Sequence, residues 1–199
     1  LKTSALAGAG LVIGVRFGGA KGAPAAPRAA TLVPNVWVRV DESGRGTVGG
    51  ARSEMGQGGL TAMPRLGAEE LEVDLADVRV EQAIADPKYG EMATGGSWSV
   101  RGSWVLLRRA GAAAREMLIA AAAERWGVET SACRAEHGAV VHAPTGRRLA
   151  YGALVAAAAK LPVPDDPPLK DPKDFRLLGK RTARLDLADK VNGRPRFGL

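Results

Sequence analysis

The stretch Arg52-Ser-Glu-Met-Gly-Gln-Gly-Gly-Leu-Thr61 lies between a segment rich in strand-forming residues and a segment with helical periodicity. Gly56, Gly58 and Gly59 lack a Cβ atom, so the backbone can turn sharply here and a ligand can approach it closely. The amide of Gln57 can both donate and accept hydrogen bonds, and the helix that follows would present free N–H groups to an anion. The stretch predicts either a loop that binds a phosphate or a heterocycle, or a plain glycine-rich connector.

Composition and charge are typical of a globular protein without a nucleic-acid surface. The 199 residues are 46% hydrophobic, which is ordinary for a folded core. The formal net charge is +7, but residues 1–40 contain five basic residues and no acid, which leaves +2 for residues 41–199. That balance does not supply the clustered Lys and Arg that bind nucleic acid. Cys133 is the only cysteine, which excludes an internal disulfide and a cysteine-rich metal site.

The N-terminal 30 residues have the character of an export signal. Residues 1–15 form an apolar, Ala/Gly-rich run in which Lys2 is the only charge, and the run is too short to span a bilayer, which takes about 20 residues. Ala23-Pro24-Ala25 offers a cleavage site. The opening Leu-Lys-Thr-Ser-Ala-Leu is similar to the part of a twin-arginine signal that follows the arginine pair. We therefore expect residues 1–30 to be a signal remnant outside the fold of a periplasmic protein, with a disordered Ala/Gly tail as the alternative.

Strand-forming segments on both sides of the glycine stretch predict an α+β fold with a mixed sheet. Val36-Trp-Val-Arg-Val40 and the weaker run Thr47-Val48 are joined by turn residues, so they predict a hairpin. Val78-Arg-Val-Glu-Gln-Ala-Ile84 alternates apolar and polar residues and predicts another strand, with Val78 and Val80 facing the core and Ile84 as a further candidate for that face. Each glycine-bearing loop in this part of the chain follows a strand and precedes a helix.

The helix after the first glycine stretch is predicted from its cap and its apolar spacing. Thr61 is a suitable N-cap, and Pro64 falls in the first turn, where a missing N–H group costs little. Glu69, Glu70 and Glu72 fall on or beside the polar side of this helix. We expect these three glutamates to be solvated charges.

A second loop, Thr94-Gly-Gly-Ser-Trp-Ser-Val-Arg101, has similar chemistry. Its glycines allow close backbone approach, its serines offer hydroxyl groups, and Arg101 adds a charged fork that suits phosphate. Either Ser99 or Ser103 is expected to cap a helix over residues 104–126. The many alanines on one face of that helix predict close approach to a neighbouring element. Trp98 is expected to be a packing residue.

The C-terminal third predicts a hairpin, a helix and a linker. The short strand Ala139-Val-Val-His142 is followed by the turn Ala143-Pro-Thr-Gly146, and an Ala-rich helix is expected over residues 151–161. His137 and His142 would lie on opposite faces of the strand, so they do not form a metal pair. Five prolines predict that residues 161–176 are an extended linker.

Four sequence segments together resemble the molybdopterin-binding large subunits of the xanthine dehydrogenase family, and most of all the isoquinoline 1-oxidoreductase β subunits. They are Ser-Glu-Met-Gly-Gln-Gly at 53–58, Ala-Glu-Glu-Leu at 68–71, Thr-Gly-Gly-Ser-Trp-Ser-Val-Arg at 94–101 and Ala-Gly-Ala-Ala-Ala-Arg-Glu-Met-Leu at 110–118. The resemblance implies that residues 31–160 belong to a molybdopterin cofactor-binding domain. It also implies that residues 177–199, with Arg184-Leu-Asp186, start an α/β hammerhead domain.

The resemblance also implies which residues hold the cofactor. The first loop would contact the pterin, and the second loop would hold the pterin and its phosphate. The expected cofactor-binding residues are Gly56, Gln57, Gly58, Gly96, Ser97, Ser99, Val100 and Arg101. The sequence departs from the family pattern at Gly49-Gly50, in place of apolar residues, and at Trp98, in place of a small residue. Either departure would loosen the site.

The implied chemistry is molybdenum-dependent hydroxylation of an N-heterocycle or an aldehyde. The resemblance implies a molybdopterin cofactor with molybdenum, expected in its cytosine dinucleotide form. The catalytic glutamate of the family lies in its far C-terminal part, so no catalytic residue and no metal ligand is assigned here. The implied partners are the remainder of the large subunit, an iron–sulfur small subunit with 2Fe–2S clusters, and, as a further candidate, a c-type cytochrome. The alternative is a non-catalytic exported binding or assembly module for a phosphate-bearing ligand.

Overall fold

The structure is a computed structural model that describes residues 10–14 and 36–195. Within those residues the chain forms two sheets and two long helices. The strands of the first sheet are β1 (Gly10–Gly14), β2 (Val36–Asp41), β3 (Gly46–Gly50) and β4 (Val78–Gln82). The strands of the second sheet are β5 (Cys133–Glu136), β6 (Ala139–His142) and β7 (Arg148–Ala150). The helices are α1 (Gly59–Leu71), α2 (Trp98–Trp126), α3 (Val155–Ala158) and α4 (Leu187–Val191).

The first sheet is mixed, as the sequence predicts, and its strand order is β1-β2-β3-β4. β2 and β3 form the predicted antiparallel hairpin, and β3 pairs with β4 in parallel along its whole length, Gly49 and Gly50 included. A parallel pair needs a crossover connection, which α1 supplies. β1 pairs antiparallel with β2. The expectation that residues 1–30 lie outside the fold is therefore wrong for Gly10–Gly14, because this strand pairs with the backbone edge that β2 would otherwise leave open.

Helices α1 and α2 cross with their backbones in contact. A Cβ atom on Gly111 would overlap the carbonyl oxygen of Gly67, and a Cβ on Gly67 would lie 3.3 Å from methyl carbons of both Val38 and Val48. The predicted close approach of the Ala-rich face of α2 is therefore confirmed. The core of the first sheet is closed by the side chains of both helices, including the fully buried Leu118.

Three helix predictions are corrected by the backbone. α1 begins at Gly59, with Gly58 rather than Thr61 at its N-cap. α2 begins at Trp98, six residues earlier than predicted, because the chain turns into the left-handed region at Ser97, whose φ is 55°. Ser99 and Ser103 therefore lie inside α2 and do not cap it. The helix expected over residues 151–161 is reduced to a 3₁₀ turn and the short α3.

Two side-chain expectations are also wrong. Ile84 lies beyond the end of β4 and is exposed rather than buried, because the strand stops at Gln82. Trp98 is exposed rather than packed in the core, and its indole lies over Gly102, where any Cβ atom would overlap it.

Glu69 and Glu70, which we expected to be solvated, are buried between α1, α2 and the C-terminal part of the chain. Glu70 binds Arg108 at 2.7 Å and Arg115 at 3.1 Å. Glu69 binds Lys170 and, through both of its oxygens, the backbone N–H groups of residues 176–178. Buried carboxylates require such partners, because an unpaired charge is costly in a low-dielectric interior.

The proline-rich residues 161–176 have no long regular element and lie against α2. Arg108 and Arg115 of α2 donate to the backbone carbonyl groups of Lys170 and Pro168. From there residues 168–186, which we call the strap, pass along α1 and lead to α4. The division between a linker and a hammerhead domain stays a prediction. Over residues 10–14 and 36–195, no helix is both long enough and apolar enough to cross a membrane.

Candidate functional site

The two glycine-bearing loops lie side by side, as expected from their position before α1 and α2. Arg52 donates a hydrogen bond to the carbonyl group of Ala93. The N–H group of Ser53 donates to the hydroxyl oxygen of Thr94 at 2.8 Å. These two bonds connect the start of the first loop, residues 53–58, to the start of the second loop, residues 94–101. The chain therefore brings both candidate ligand-binding loops to one place.

The first loop is held by Glu54, which the sequence analysis did not identify as a site residue. One oxygen of its carboxylate accepts from the N–H groups of Gly56 at 2.8 Å and Gly58 at 3.0 Å, and the other accepts from Leu60 at 2.9 Å. Burial raises the pKa of Glu54, but these three N–H groups and the charge of Arg184 outweigh burial and keep the pKa below its usual value. The N-terminus of α1 therefore already has an anion of its own.

The amide of Gln57 is used within the same loop. Its nitrogen donates to the carbonyl group of Ser53 at 2.8 Å, and its oxygen accepts from the N–H group of Met55 at 2.6 Å. A ligand that binds the amide of Gln57 would have to replace these two bonds. The bonds of Gln57 to the protein would then be exchanged for bonds to the ligand, which makes the net gain in free energy small.

The second loop differs from the first at the start of the helix that follows it. The side chain of the N-cap residue Ser97 accepts no hydrogen bond from α2, and the first turn contains no acidic residue. Ser99, Val100 and Arg101 lie in that first turn. A Cβ atom placed on Gly95 or Gly96 would meet no described atom within 4 Å. The N–H group of Trp98 donates to the carbonyl group of Gly95 at 3.0 Å, so those of Ser99 and Val100 remain without a partner within the helix. They follow a loop that is open beside Gly95 and Gly96, where an anion would be stabilised.

A pocket of about 390 Å³ opens between the two loops. Its lining residues are Met55, Gln57, Thr94, Gly95, Gly96, Ser97, Ser99 and Val100. Five of the eight predicted cofactor-binding residues are among them. Gly56 and Gly58 shape the first loop without lining the pocket, and the guanidinium of Arg101 lies 4.4 Å from the centre of the Trp98 ring.

The pocket fits a phosphate-bearing ligand. Its volume lies within the ~300–1,000 Å³ typical of small-molecule sites, and its polar groups are hydroxyls, an amide and free backbone N–H groups. Trp98 does not line it, so this departure from the family pattern leaves the pocket open. Gly49 and Gly50 are ordinary members of β3, because Gln82 donates to the carbonyl group of Gly50 at 3.0 Å.

The histidines form separate local contacts. The Nδ1 atom of His142 lies 2.7 Å from the hydroxyl oxygen of Thr145, and that of His137 lies 3.1 Å from the carboxylate of Asp74. In the described part of the chain, no group of three or more His, Cys, Asp or Glu residues could hold a metal ion. Burial raises the pKa of the Cys133 thiol, which makes it a poor nucleophile.

Comparison with known proteins identifies the family of this chain. The profile of the molybdopterin cofactor-binding domain matches residues 2–191. The isoquinoline 1-oxidoreductase subunit beta of Brevundimonas diminuta is 35% identical over 217 residues. The match covers 89% of this chain and 28% of that protein. The membrane-bound aldehyde dehydrogenase (pyrroloquinoline-quinone) of Gluconacetobacter polyoxogenes is 34% identical over 83% of this chain and 22% of that protein.

Among solved structures, the crystal structure of quinoline 2-oxidoreductase from Pseudomonas putida 86 superposes with a TM-score of 0.51. Its sequence is 26% identical, and the match covers 60% of this chain and 15% of that chain. The chain thus spans less than a third of the length of each of these relatives. Because the family profile matches nearly the whole chain, and because the two adjacent loops open a pocket suited to a phosphate-bearing group, the chain belongs to the molybdopterin cofactor-binding domain family.

Proposed function

We propose that this chain supplies the two-loop cofactor site of a molybdenum hydroxylase large subunit. The free N-terminus of α2, which opens onto the pocket between the loops, is the observation that carries the proposal. The loop composition is appropriate to a pterin with a phosphate, since it combines an amide, three hydroxyls and free backbone N–H groups. The bound group, not the chain, would supply the redox chemistry.

Each predicted site residue has a role that its position allows. The N–H groups of Ser99 and Val100 would bind phosphate oxygens, whereas Arg101, whose N–H group is bonded within the helix, would contribute the charge of its guanidinium. The hydroxyl groups of Ser97 and Ser99 line the same pocket and can donate to those oxygens. Gln57 would exchange its two bonds within the loop for bonds to the ring edge of the ligand, while Gly56 and Gly58 maintain the turn on either side of it.

The substrate, the form of the cofactor and the partners belong to the same proposal. The names of the relatives include isoquinoline, quinoline and an aldehyde, which supports an N-heterocycle or an aldehyde as the substrate class. We propose the cytosine dinucleotide form of molybdopterin, 2Fe–2S clusters on a separate small subunit, and a c-type cytochrome as a candidate electron acceptor. That one relative is named as a β subunit supports the expectation of subunit partners.

The test places a carboxylate at the open helix end. The variant Ser97→Asp would give the N-terminus of α2 its own anion, as Glu54 does for α1. We expect it to retain roughly tenfold less molybdenum and pterin than the wild type, since a factor of ten corresponds to ~1.4 kcal/mol of repulsion. Its thermal stability should stay equal or rise, because an acidic residue at this position favours the helix.

The measurement is metal analysis together with mass spectrometry of the released cofactor, on protein made in a host that synthesises molybdopterin. Ser131→Asp is the matched control, because Ser131 is exposed and lies outside the pocket. Equal molybdenum content in Ser97→Asp and wild type would contradict the proposal. Binding of a nucleotide without molybdenum would favour the alternative of a non-catalytic module, and recovery of a quinone in place of molybdopterin would contradict the cofactor assignment.

We also propose export to the periplasm, on the strength of the apolar residues 1–15 and the Ala23-Pro24-Ala25 site. Strand β1 lies inside that apolar run, so cleavage near residue 25 would remove an edge strand. N-terminal sequencing of the protein recovered from the periplasm measures this directly. A start near residue 26 supports a cleaved signal, a start before residue 10 supports an exported protein that keeps β1, and absence from the periplasm contradicts export.

A further inference from the structure

The strap runs along α1 in the opposite direction and contacts one face of it at several successive points. Thr61, Arg65 and Glu69 are spaced four residues apart and share that face. Glu69 binds the N–H groups of strap residues 176–178. One turn earlier, Arg65 donates to the carbonyl groups of the strap residues Leu177 and Lys180.

The contacts continue to the N-terminal end of α1. The hydroxyl oxygen of Thr61 accepts from the N–H group of Leu185 at 3.0 Å. This is a different role from the N-cap that the sequence predicts. The strap therefore reaches the beginning of α1, where the first loop ends, and Arg184 lies at the point of contact.

Arg184 joins the strap to the first loop through two hydrogen bonds. Its guanidinium donates to the carbonyl oxygen of Gly56 at 2.7 Å and to the carboxylate of Glu54 at 3.3 Å. The other edge of the guanidinium donates to both carboxylate oxygens of Asp186, each at 2.8 Å. Lys190 of α4 binds Asp186 as well, at 2.9 Å. The orientation of Arg184 is thus fixed by Asp186, and only a planar fork can make both sets of bonds at once.

We propose that Arg184, oriented by Asp186, is a positioning residue that holds the first loop in the conformation in which Gln57 lines the pocket. The inference rests on the proposed function of that pocket. Gln57 lies between Gly56 and Gly58, and the N–H groups of both glycines are bound by Glu54. Arg184 binds Glu54 and the carbonyl group of Gly56, so it holds the loop from both the carboxylate and the backbone.

The geometry also explains why a positive charge is needed at this point. Glu54 is largely buried, with 13% of its side chain exposed, and it concentrates negative charge beside the pocket. Arg184 neutralises that charge. Without Arg184 the carboxylate would remain close to the place proposed for a phosphate, and the two anions would repel each other.

The test compares Arg184→Met and Arg184→Lys with the control Arg181→Met, which changes an exposed arginine of the same strap. Amide hydrogen exchange is measured over residues 54–60 and, for reference, over the core of α2 at residues 107–118. Arg184→Met should exchange at least about tenfold faster in the loop, because charge-assisted hydrogen bonds are lost from the closed state. Arg184→Lys should be intermediate, and Arg181→Met should match the wild type.

A second readout separates positioning from general stability. The pKa of Glu54, followed through the amide shifts of Gly56 and Gly58 during a pH titration, should rise in Arg184→Met and stay unchanged in Arg181→Met. Asp186→Asn provides a milder variant if Arg184→Met fails to fold. It should accelerate loop exchange less than Arg184→Met and leave exchange in α2 unchanged.

Three outcomes would overturn the inference. The first is equally fast amide exchange of the loop in Arg184→Met and in wild type. If Asp186→Asn replaces Arg184→Met, the same comparison is made with that variant. The second is an equal acceleration in the core of α2, which would assign Arg184 to global stability. The third is a pKa of Glu54 that is the same in Arg184→Met and in wild type. A wild-type chain that binds no cofactor would contradict the proposed function instead, while the exchange and titration measurements would still decide the position of the loop.

Discussion

The two ends of α1 both use glutamate carboxylates to bind backbone N–H groups, but in different surroundings. At the C-terminal end, Glu69 and Glu70 are 1% and 0% exposed and bind the strap and the arginines of α2. At the N-terminal end, Glu54 binds the N–H groups of its own loop, next to an open pocket. One end is fully buried between distant parts of the chain, whereas the other shapes a short turn beside the pocket and contacts the strap there.

This difference indicates which end of α1 is rigid and which end can adapt to a ligand. Removing one partner of a buried ion pair leaves a charge without water or a counter-charge, which costs several kcal/mol. Rearranging a hydrogen bond near the surface costs much less, because water replaces the lost partner. We therefore expect the C-terminal end of α1 to determine stability and the N-terminal end to accommodate a ligand.

Among the variants considered, Glu70→Ala should destabilise the fold most. Arg108 and Arg115 would each lose a buried counter-charge, so the free energy of unfolding should fall by about 3–5 kcal/mol. Urea denaturation measures this. Glu124→Ala, at an exposed position of α2, is the control and should stay within about 0.5 kcal/mol of wild type. A loss below about 1 kcal/mol in Glu70→Ala would mean that the buried end does not determine stability.

The dependence of stability on pH should come from Glu69. Burial raises the pKa of Glu69, but Lys170 and the N–H groups of the strap outweigh burial and hold the pKa below its usual value. A carboxyl group with a lowered pKa in the folded state stabilises the fold above its unfolded pKa, and this stabilisation is lost as the pH falls through the folded pKa.

We therefore expect the unfolding free energy of wild type to decrease as the pH falls below about 4.3, the ordinary pKa of a glutamate. Glu69→Gln should be less stable at neutral pH, and its stability should vary less over the same acidic range. Urea denaturation at a series of pH values gives both curves. Parallel curves for the two proteins would exclude Glu69 as the main source of the pH dependence.

The smallest effect should follow Glu54→Ala at the adaptable end. The N–H groups of Gly56, Gly58 and Leu60 would lose their carboxylate partner, but the loop is near water. We expect a loss of about 0.5–2 kcal/mol, which is typical of removing a helix cap. Urea denaturation beside Glu70→Ala tests the ranking, and a larger loss in Glu54→Ala would reverse it.

Strands β2 and β4 and the two loops could be predicted because their signals are local. A run of strand-forming residues identified β2, alternation of apolar and polar residues identified β4, and glycines next to polar residues identified both loops. The buried role of Glu69 and Glu70 could not be predicted, because their counter-charges lie 38 to 101 residues away in the chain. A run of acidic residues in a helix has the same local pattern whether its partners are water or distant arginines.

The candidate site shows the same limit. The sequence indicates that Gln57 and the serines of the second loop have suitable chemistry, and the structure places them around one pocket. The left-handed turn at Ser97 makes α2 start at Trp98, earlier in the chain than predicted. This turn depends on the path of the backbone and has no local signature. The role of Glu54 was detectable in principle, since a carboxylate shortly before a helix is a known capping pattern, whereas the contact of Arg184 with the loop is not.

The backbone contact between Gly67 and Gly111 has a consequence for adaptation of the site. Each loop leads directly into one of these helices, so the spacing of the helices sets the separation of the loops. Gly111 lies 13 residues beyond the start of α2, which corresponds to about 20 Å along the helix axis. A methyl group added there would wedge the helices apart and widen the pocket without touching any ligand. Selection for larger or smaller ligands could therefore act on the helix crossing, at a position that no inspection of the pocket lining would reveal.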